Sequence, residues 1–188
     1  QNAEIDKVNE KTVIVTCLFS FPLVLFSPEI VGVLAPGNYK GAASIIVLIV
    51  AGYLFKTING VYNRYIGYSK KTGYQSLSTI LAGLFNIGLN WLLIPEYGIM
   101  GSAFATVLSF IWLAISNWLI VRFQLQMQCT QLLPLLAPLG MIMIFFWVAT
   151  WVNESYGLSW QVMPLKIALL VLAGLVFWQY GTKRLSKI

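Results

Sequence analysis

Apolar runs about as long as a membrane is thick, separated by short polar breaks, restrict this chain more than any other feature. A helix needs about 20 apolar residues to cross a hydrocarbon core of about 30 Å. Six runs reach or approach that length, at 13–34, 42–62, 77–94, 101–121, 132–151 and 162–180. Of the 188 residues 59% are hydrophobic and only 10% charged, too few charges to clothe a water-soluble surface. The expected fold class is therefore all-α, a polytopic membrane protein with six transmembrane helices.

Local chemistry punctuates these runs. Pro22, Pro28 and Glu29 interrupt the first, because a proline deletes a backbone donor and clashes with the preceding turn. The span is expected to bend or end near Phe26, and the short amphipathic segment PEIVGVLA follows it. APGNYKG has the composition of a turn. The third run ends at Pro95, and EYG gives a tight reversal before GSAFAT opens the fourth, so spans three and four should form an antiparallel pair. Residues 1–12, QNAEIDKVNEKT, are polar and of mixed charge, and no signal peptide is visible. They read as a cytoplasmic linker after an earlier helix, and the chain as a piece of a longer or processed polypeptide.

Basic residues set the expected orientation. Lys7, Lys11, Arg64, Lys70, Lys71, Arg122, Lys183, Arg184 and Lys187 all fall on one side of this topology, whereas the opposite loops hold only Lys40. By the positive-inside rule both termini are expected in the cytoplasm. Trp147, Trp151 and Trp160 around the fifth loop, and Trp178 with Tyr180 at the other side, match an interfacial belt.

Chemistry has few places to reside. With no His in the chain, His-dependent triads, zinc sites and proton relays are excluded. Cys17 and Cys129 have no paired spacing and are expected as free thiols. No span carries two carboxylates, and no glycine-rich phosphate loop is present. Glu29 and Glu96 lie beside prolines at outer ends, where solvated helix-end positions are expected. No cofactor, metal site or enzymatic activity is expected, and no nucleic-acid partner.

A polar face remains. Gly52, Tyr53, Lys56, Asn59, Gly60, Asn63 and Gly67 share about a third of the circumference of the second span. Lys56 is the expensive member, because a central Lys costs about 2.5 to 3.5 kcal/mol on insertion scales and should face a cavity or a partner. Snorkelling to the headgroups is the alternative, opposed by the tilt of side chains toward a helix's amino end. Arg64 lies two turns further on. Span three sets Thr79, Gly83, Asn86 and Asn90 in one stripe, and span four Ser102, Thr106, Ser109 and Ser116. Such stripes fit close helix packing with interhelical hydrogen bonds. The candidate substrate-binding residues are Lys56, Asn59, Asn63, Arg64, Asn86 and Asn90, a cationic, amide-rich set suited to an anionic or sugar-bearing molecule.

The order of features SPEIVGVLAPGNYKGAA, YNRYIGYSKKTGYQSL and NIGLNWLLIPEYGIMGSAFATVLS resembles the later part of polysaccharide flippases. These are the Wzx-type O-antigen and capsule transporters of the multidrug/oligosaccharidyl-lipid/polysaccharide exporter superfamily. The most specific piece runs from Asn86 to Thr106, and the likeness covers 13–123. By hydropathy alone, residues 124–188 fit an additional two-helix membrane segment and cytoplasmic tail, as in longer members. The resemblance implies the carboxy-terminal lobe of a MATE-like two-lobe transporter, whose amino-terminal lobe would be a missing partner from the same polypeptide. The implied activity is alternating-access translocation of an undecaprenyl-diphosphate-linked oligosaccharide across the bacterial inner membrane. No family motif fixes the six candidate contacts, which rest on the helical-face argument. No embedded acid or His is visible to carry a coupling proton. The alternatives are a peptidoglycan-precursor flippase or drug exporter of the same superfamily, an integral membrane glycan-processing enzyme, and a truncated scaffold.

Overall fold

The computed structural model describes residues 2–34, 42–127, 140, 143–144, 146–153, 155 and 162–185. Among these residues the chain is all helical, with no strand. Helices α1 (Asn2–Leu25), α2 (Ser27–Leu34), α3 (Ala42–Tyr68) and α4 (Thr72–Leu119) are followed by a π-helical turn (Ile120–Gln124) and, after further helix at 146–153, by α5 (Met163–Leu185). Three stretches are long and apolar enough to cross a membrane: Ile5–Leu25, Ala42–Tyr68 and Thr72–Gln124. The apolar part of α5, Met163–Gln179, is shorter. The turn expected at 35–41, most of the fifth expected span and Cys129 lie outside the described residues.

Helix α1 starts at Asn2 instead of Val13, so the polar opening segment expected as a linker is helical. Its end agrees with the proline argument. Pro22 sits within α1, the helix stops at Leu25, and α2 opens with Ser27, Pro28 and Glu29. Proline is pre-organised for a first helical turn, and a carboxylate there complements the positive helix end. The Ser27 hydroxyl donates to the Val24 carbonyl at 2.9 Å, which satisfies one carbonyl freed by the break.

The connection from α3 to α4 is tight. Lys70 adopts a left-handed conformation (φ 57°), and its N–H donates to the Gly67 carbonyl at 3.1 Å. A residue with a Cβ costs about 1–2 kcal/mol there, where glycine is the usual choice.

The chain divides into two compact units, Gln1–Asn9 with Ala51–Gln131 and Glu10–Val50 with Leu132–Ile188. In the first, α4 is interrupted at Gly98 (φ 55°, ψ −134°), three residues after Pro95. The two arms return along each other: Ser78 meets Asn117 at 2.7 Å, the Phe85 and Trp112 rings stack at 5.1 Å, and Gly101 lies against the Leu93 backbone. These pairs are all centred near Gly98, which is the signature of an antiparallel hairpin. A Cβ on Gly101 would sit 2.3 Å from the Leu93 carbonyl oxygen, so only glycine fits at the inside of the reversal. The expected antiparallel pair is thus present as one folded helix, with its turn at the IPEYG segment.

In the second unit, Val13, Cys17, Phe21 and Val24 form the buried stripe of α1, and Lys166, Ala173 and Phe177 that of α5. Cys17 is buried and forms no disulfide. The Asn153 amide donates to the Val24 carbonyl at 3.3 Å, at the point where α1 ends. Glu29, expected as a solvated helix-end residue, is instead only 17% exposed and paired at 2.5 Å with Lys166, which is 0% exposed. The pairing explains the burial: neither charge could be withdrawn from water alone.

Candidate functional site

Within the first unit, helix α3 turns Gly52, Lys56, Asn59 and Asn63 toward α4. Gly52 makes this possible, because its Cα region lies against Val107 and Phe110, where an added Cβ would be 3.3 and 3.4 Å from their side chains. One turn later the Lys56 ammonium stands 5.0 Å from the Tyr53 ring centroid and 5.4 Å from that of Phe110. The two rings meet edge to face, 5.9 Å apart. Lys56 itself is exposed, and among the described residues no carboxylate lies within ion-pair distance of it. Its charge is therefore held by ring quadrupoles, which leave the ammonium hydrogens available to an acceptor.

Asn59 and Asn63 lie elsewhere in function, if not in sequence. Both side-chain carbonyls accept from the Asn117 amide, Asn63 at 2.8 Å and Asn59 at a shorter distance, while Asn117 Oδ1 accepts from Ser78 Oγ at 2.7 Å. Asn117 thereby uses both N–H groups and its oxygen to tie α3 to both arms of α4. It is 0% exposed, with Asn59 at 6% and Ser78 at 2%. A buried amide with every group satisfied fixes register between helices. Asn59 is thus a packing residue in this arrangement, while Asn63 is half-buried at the edge of the knot.

Arg64 donates to Asn9 Oδ1 at 2.6 Å, and the neighbouring Tyr65 hydroxyl donates to Asp6 Oδ1. These contacts fasten the polar start of α1 to the last turns of α3, which accounts for the helicity of the opening segment. Asn86 and Asn90 form a third group. The Asn90 amide donates to the Asn86 carbonyl and to Asn86 Oδ1, both at 2.9 Å, one helical turn apart. The six candidates therefore separate into a cation on aromatic rings, an amide knot, a clasp with α1 and a local amide pair.

Sequence reasoning passed over Asn117, Ser78 and Asn9. An Asn near the end of an apolar run is a detectable signal, but the Ser and Thr stripe beside Asn117 drew attention first. In the structure Thr106 and Ser109 donate back within their own helix, to Ser102 and Ala105 carbonyls at 2.9 and 2.7 Å, and Thr79 does the same to Gln75 at 2.8 Å. The interhelical bonds expected of that stripe are made by the larger amide, which reaches further than a hydroxyl.

No family model matches this sequence, and no solved structure matches it. Among curated proteins it is similar to the probable low-salt glycan biosynthesis flippase Agl15 of Haloferax volcanii, with 27% identity over 90 residues. That stretch makes up 48% of this chain and 19% of the relative's length. The apolar helices and this partial likeness together indicate a membrane protein related to a glycan flippase.

Proposed function

We propose that this chain is a segment of a membrane carrier, rather than an enzyme, that translocates glycans attached to an anionic isoprenoid phosphate. The observation that supports the reading best is Lys56: a cation within a candidate span, exposed, resting on Tyr53 and Phe110, with no carboxylate at ion-pair distance among the described residues. A lipid phosphate crossing a bilayer needs a counter-charge, since isolated charge is costly there. An ammonium already oriented over two rings can donate charge-assisted hydrogen bonds to phosphate oxygens. Its partial likeness to a flippase of glycan biosynthesis points to the same class of cargo.

The finer reading follows the sequence resemblance. The cargo is an undecaprenyl-diphosphate-linked oligosaccharide, the membrane is the bacterial inner membrane with both termini cytoplasmic, and a second lobe completes the cavity for alternating access. Of the six candidate residues, Lys56 is the one we place in direct contact with cargo. Asn63, half-buried two turns further along α3, is the amide we assign to a sugar hydroxyl.

The test is Lys56→Ala in the full-length polypeptide, scored as surface glycan and as membrane-inserted protein. Export is expected to be lost while insertion is retained, and Lys56→Arg is expected to restore much of it. Normal export by stably inserted Lys56→Ala protein would refute the charge-pairing role.

A further inference from the structure

The end of the first unit opposite the IPEYG reversal gathers basic side chains that the cargo site does not use. Ser78 meets Asn117 at 2.7 Å across the two arms of α4. Five residues outward from that contact stand Gly73 on one arm and Arg122 on the other, which sets Arg122 level with the first turn of α4. Lys70 and Lys71 immediately precede that turn. Arg122 itself lies in the π-helical turn, where the Leu125 N–H donates to the Ile120 carbonyl at 3.0 Å. Such turns are frequent at functional sites.

Three cations from two segments therefore lie at one end of the hairpin. Their side chains are exposed, and none pairs with a carboxylate among the described residues. Of the acids whose side chains are described in this unit, Asp6 accepts from Tyr65, and Glu96 lies in the reversal, about 35 Å away along the hairpin at 1.5 Å per residue. Like charges left together repel, so an anion that bridges them is favoured.

The surroundings decide which anion. Lys71, Gly73, Tyr74 and Leu77 line an open cavity of about 350 Å³. Below its charged rim the exposed side chains of Leu77, Ile80, Leu81 and Leu84 carry an apolar face along α4. Beside Arg122 the exposed Phe123 ring meets that of Trp118 edge to face at 6.5 Å. A soluble anion has no use for hydrocarbon walls, whereas a lipid matches charge with its head and apolar surface with its chains. Both arms belong to the stretch Thr72–Gln124, which is apolar enough to cross a membrane, so this end meets a headgroup layer. Basic pockets at the ends of membrane helices recognise anionic headgroups.

We infer that this end of the hairpin binds an anionic phospholipid. The phosphate sits between Lys71 and Arg122 with Lys70 adding charge, Tyr74 borders the glycerol, and the acyl chains follow the Leu77 to Leu84 face. Lys56 lies about 20 Å further back along α3 at 1.5 Å per residue, so the bound lipid is distinct from the cargo. The inference stands without the carrier reading.

The experiment uses the full-length protein in detergent and native mass spectrometry, with phosphatidylglycerol and phosphatidylcholine added in equal amounts. Selective retention of phosphatidylglycerol is expected. A basic residue near an anionic surface contributes about fivefold in affinity, so Lys71→Gln or Arg122→Gln should each weaken retention by about that factor, and their combination with Lys70→Gln by about a hundredfold. Lys71→Arg keeps the charge and is expected to retain the lipid. A second triple variant, Lys183→Gln with Arg184→Gln and Lys187→Gln, removes the same net charge from the tail and is expected to bind as the wild type does. Equal retention of the two lipids by the wild type, undiminished retention in the single Gln variants, or an equal loss in the tail variant would overturn the inference. Displacement of phosphatidylglycerol by excess soluble glycerol phosphate would overturn it as well, by showing that the phosphate alone is recognised.

Discussion

Replacing Asn117 by Ala tests the amide knot most directly, because one side chain holds three helical segments. The substitution removes the bonds to Asn59, Asn63 and Ser78. Interhelical hydrogen bonds in membrane proteins average about 0.6 kcal/mol, so three of them set a floor of about 2 kcal/mol. Ser78 suffers least, since its single hydroxyl proton can pass wholly to the Gln75 carbonyl, 3.0 Å away. Asn59 suffers more: it would be left buried with its carbonyl short of a donor, at a further cost of about 1–2 kcal/mol. The expected destabilisation is about 3–4 kcal/mol by these figures. It can be measured by reversible unfolding in mixed micelles, followed by tryptophan fluorescence. Thr79→Ala is the matched control, because that hydroxyl is exposed and bonds only within its own helix, so its effect should stay within about 0.5 kcal/mol. Equal stabilities for Asn117→Ala and Thr79→Ala would refute the claim that the knot holds α3 to α4.

Two further outcomes follow from the hairpin and from the charge distribution. Gly101→Ala would drive a methyl group into the Leu93 carbonyl, 2.3 Å away, and is expected to lower stability by more than about 2 kcal/mol or to prevent accumulation, measured as folded protein recovered from membranes. Reporter fusions after Lys71 and after Ser155 are expected to report cytoplasm and the opposite side respectively, and the reverse pattern would overturn the orientation drawn from Lys and Arg positions.

Features fixed by local chemistry were legible in the sequence. The break after α1 follows from Pro22 and Pro28, and the reversal in α4 from Pro95 and the glycines around it, because each acts on backbone groups within one or two turns. Lys56 was legible too, since a charge in an apolar run stands out by cost alone. What escaped notice depends on partners far along the chain. Glu29 beside a proline looks solvated until Lys166, 137 positions later, is placed against it. Asn59 reads as a cavity residue until Asn117 takes up its carbonyl. The helicity of the opening segment has the same origin, because Asp6 and Asn9 find Tyr65 and Arg64 at separations of 59 and 55 residues. Periodicity places a residue on a face, but it does not say what that face meets.

The amide knot also has a consequence for biogenesis. Asn59 and Asn63 leave the ribosome well before Asn117, which follows them by 58 and 54 residues. For that interval α3 enters the bilayer with two amides and no mate. Its insertion must therefore be tolerated by water in the translocation channel or by an attendant insertase until the second arm of the hairpin arrives. A stall in synthesis just short of residue 117 should leave α3 more accessible to membrane proteases than a stall just beyond it.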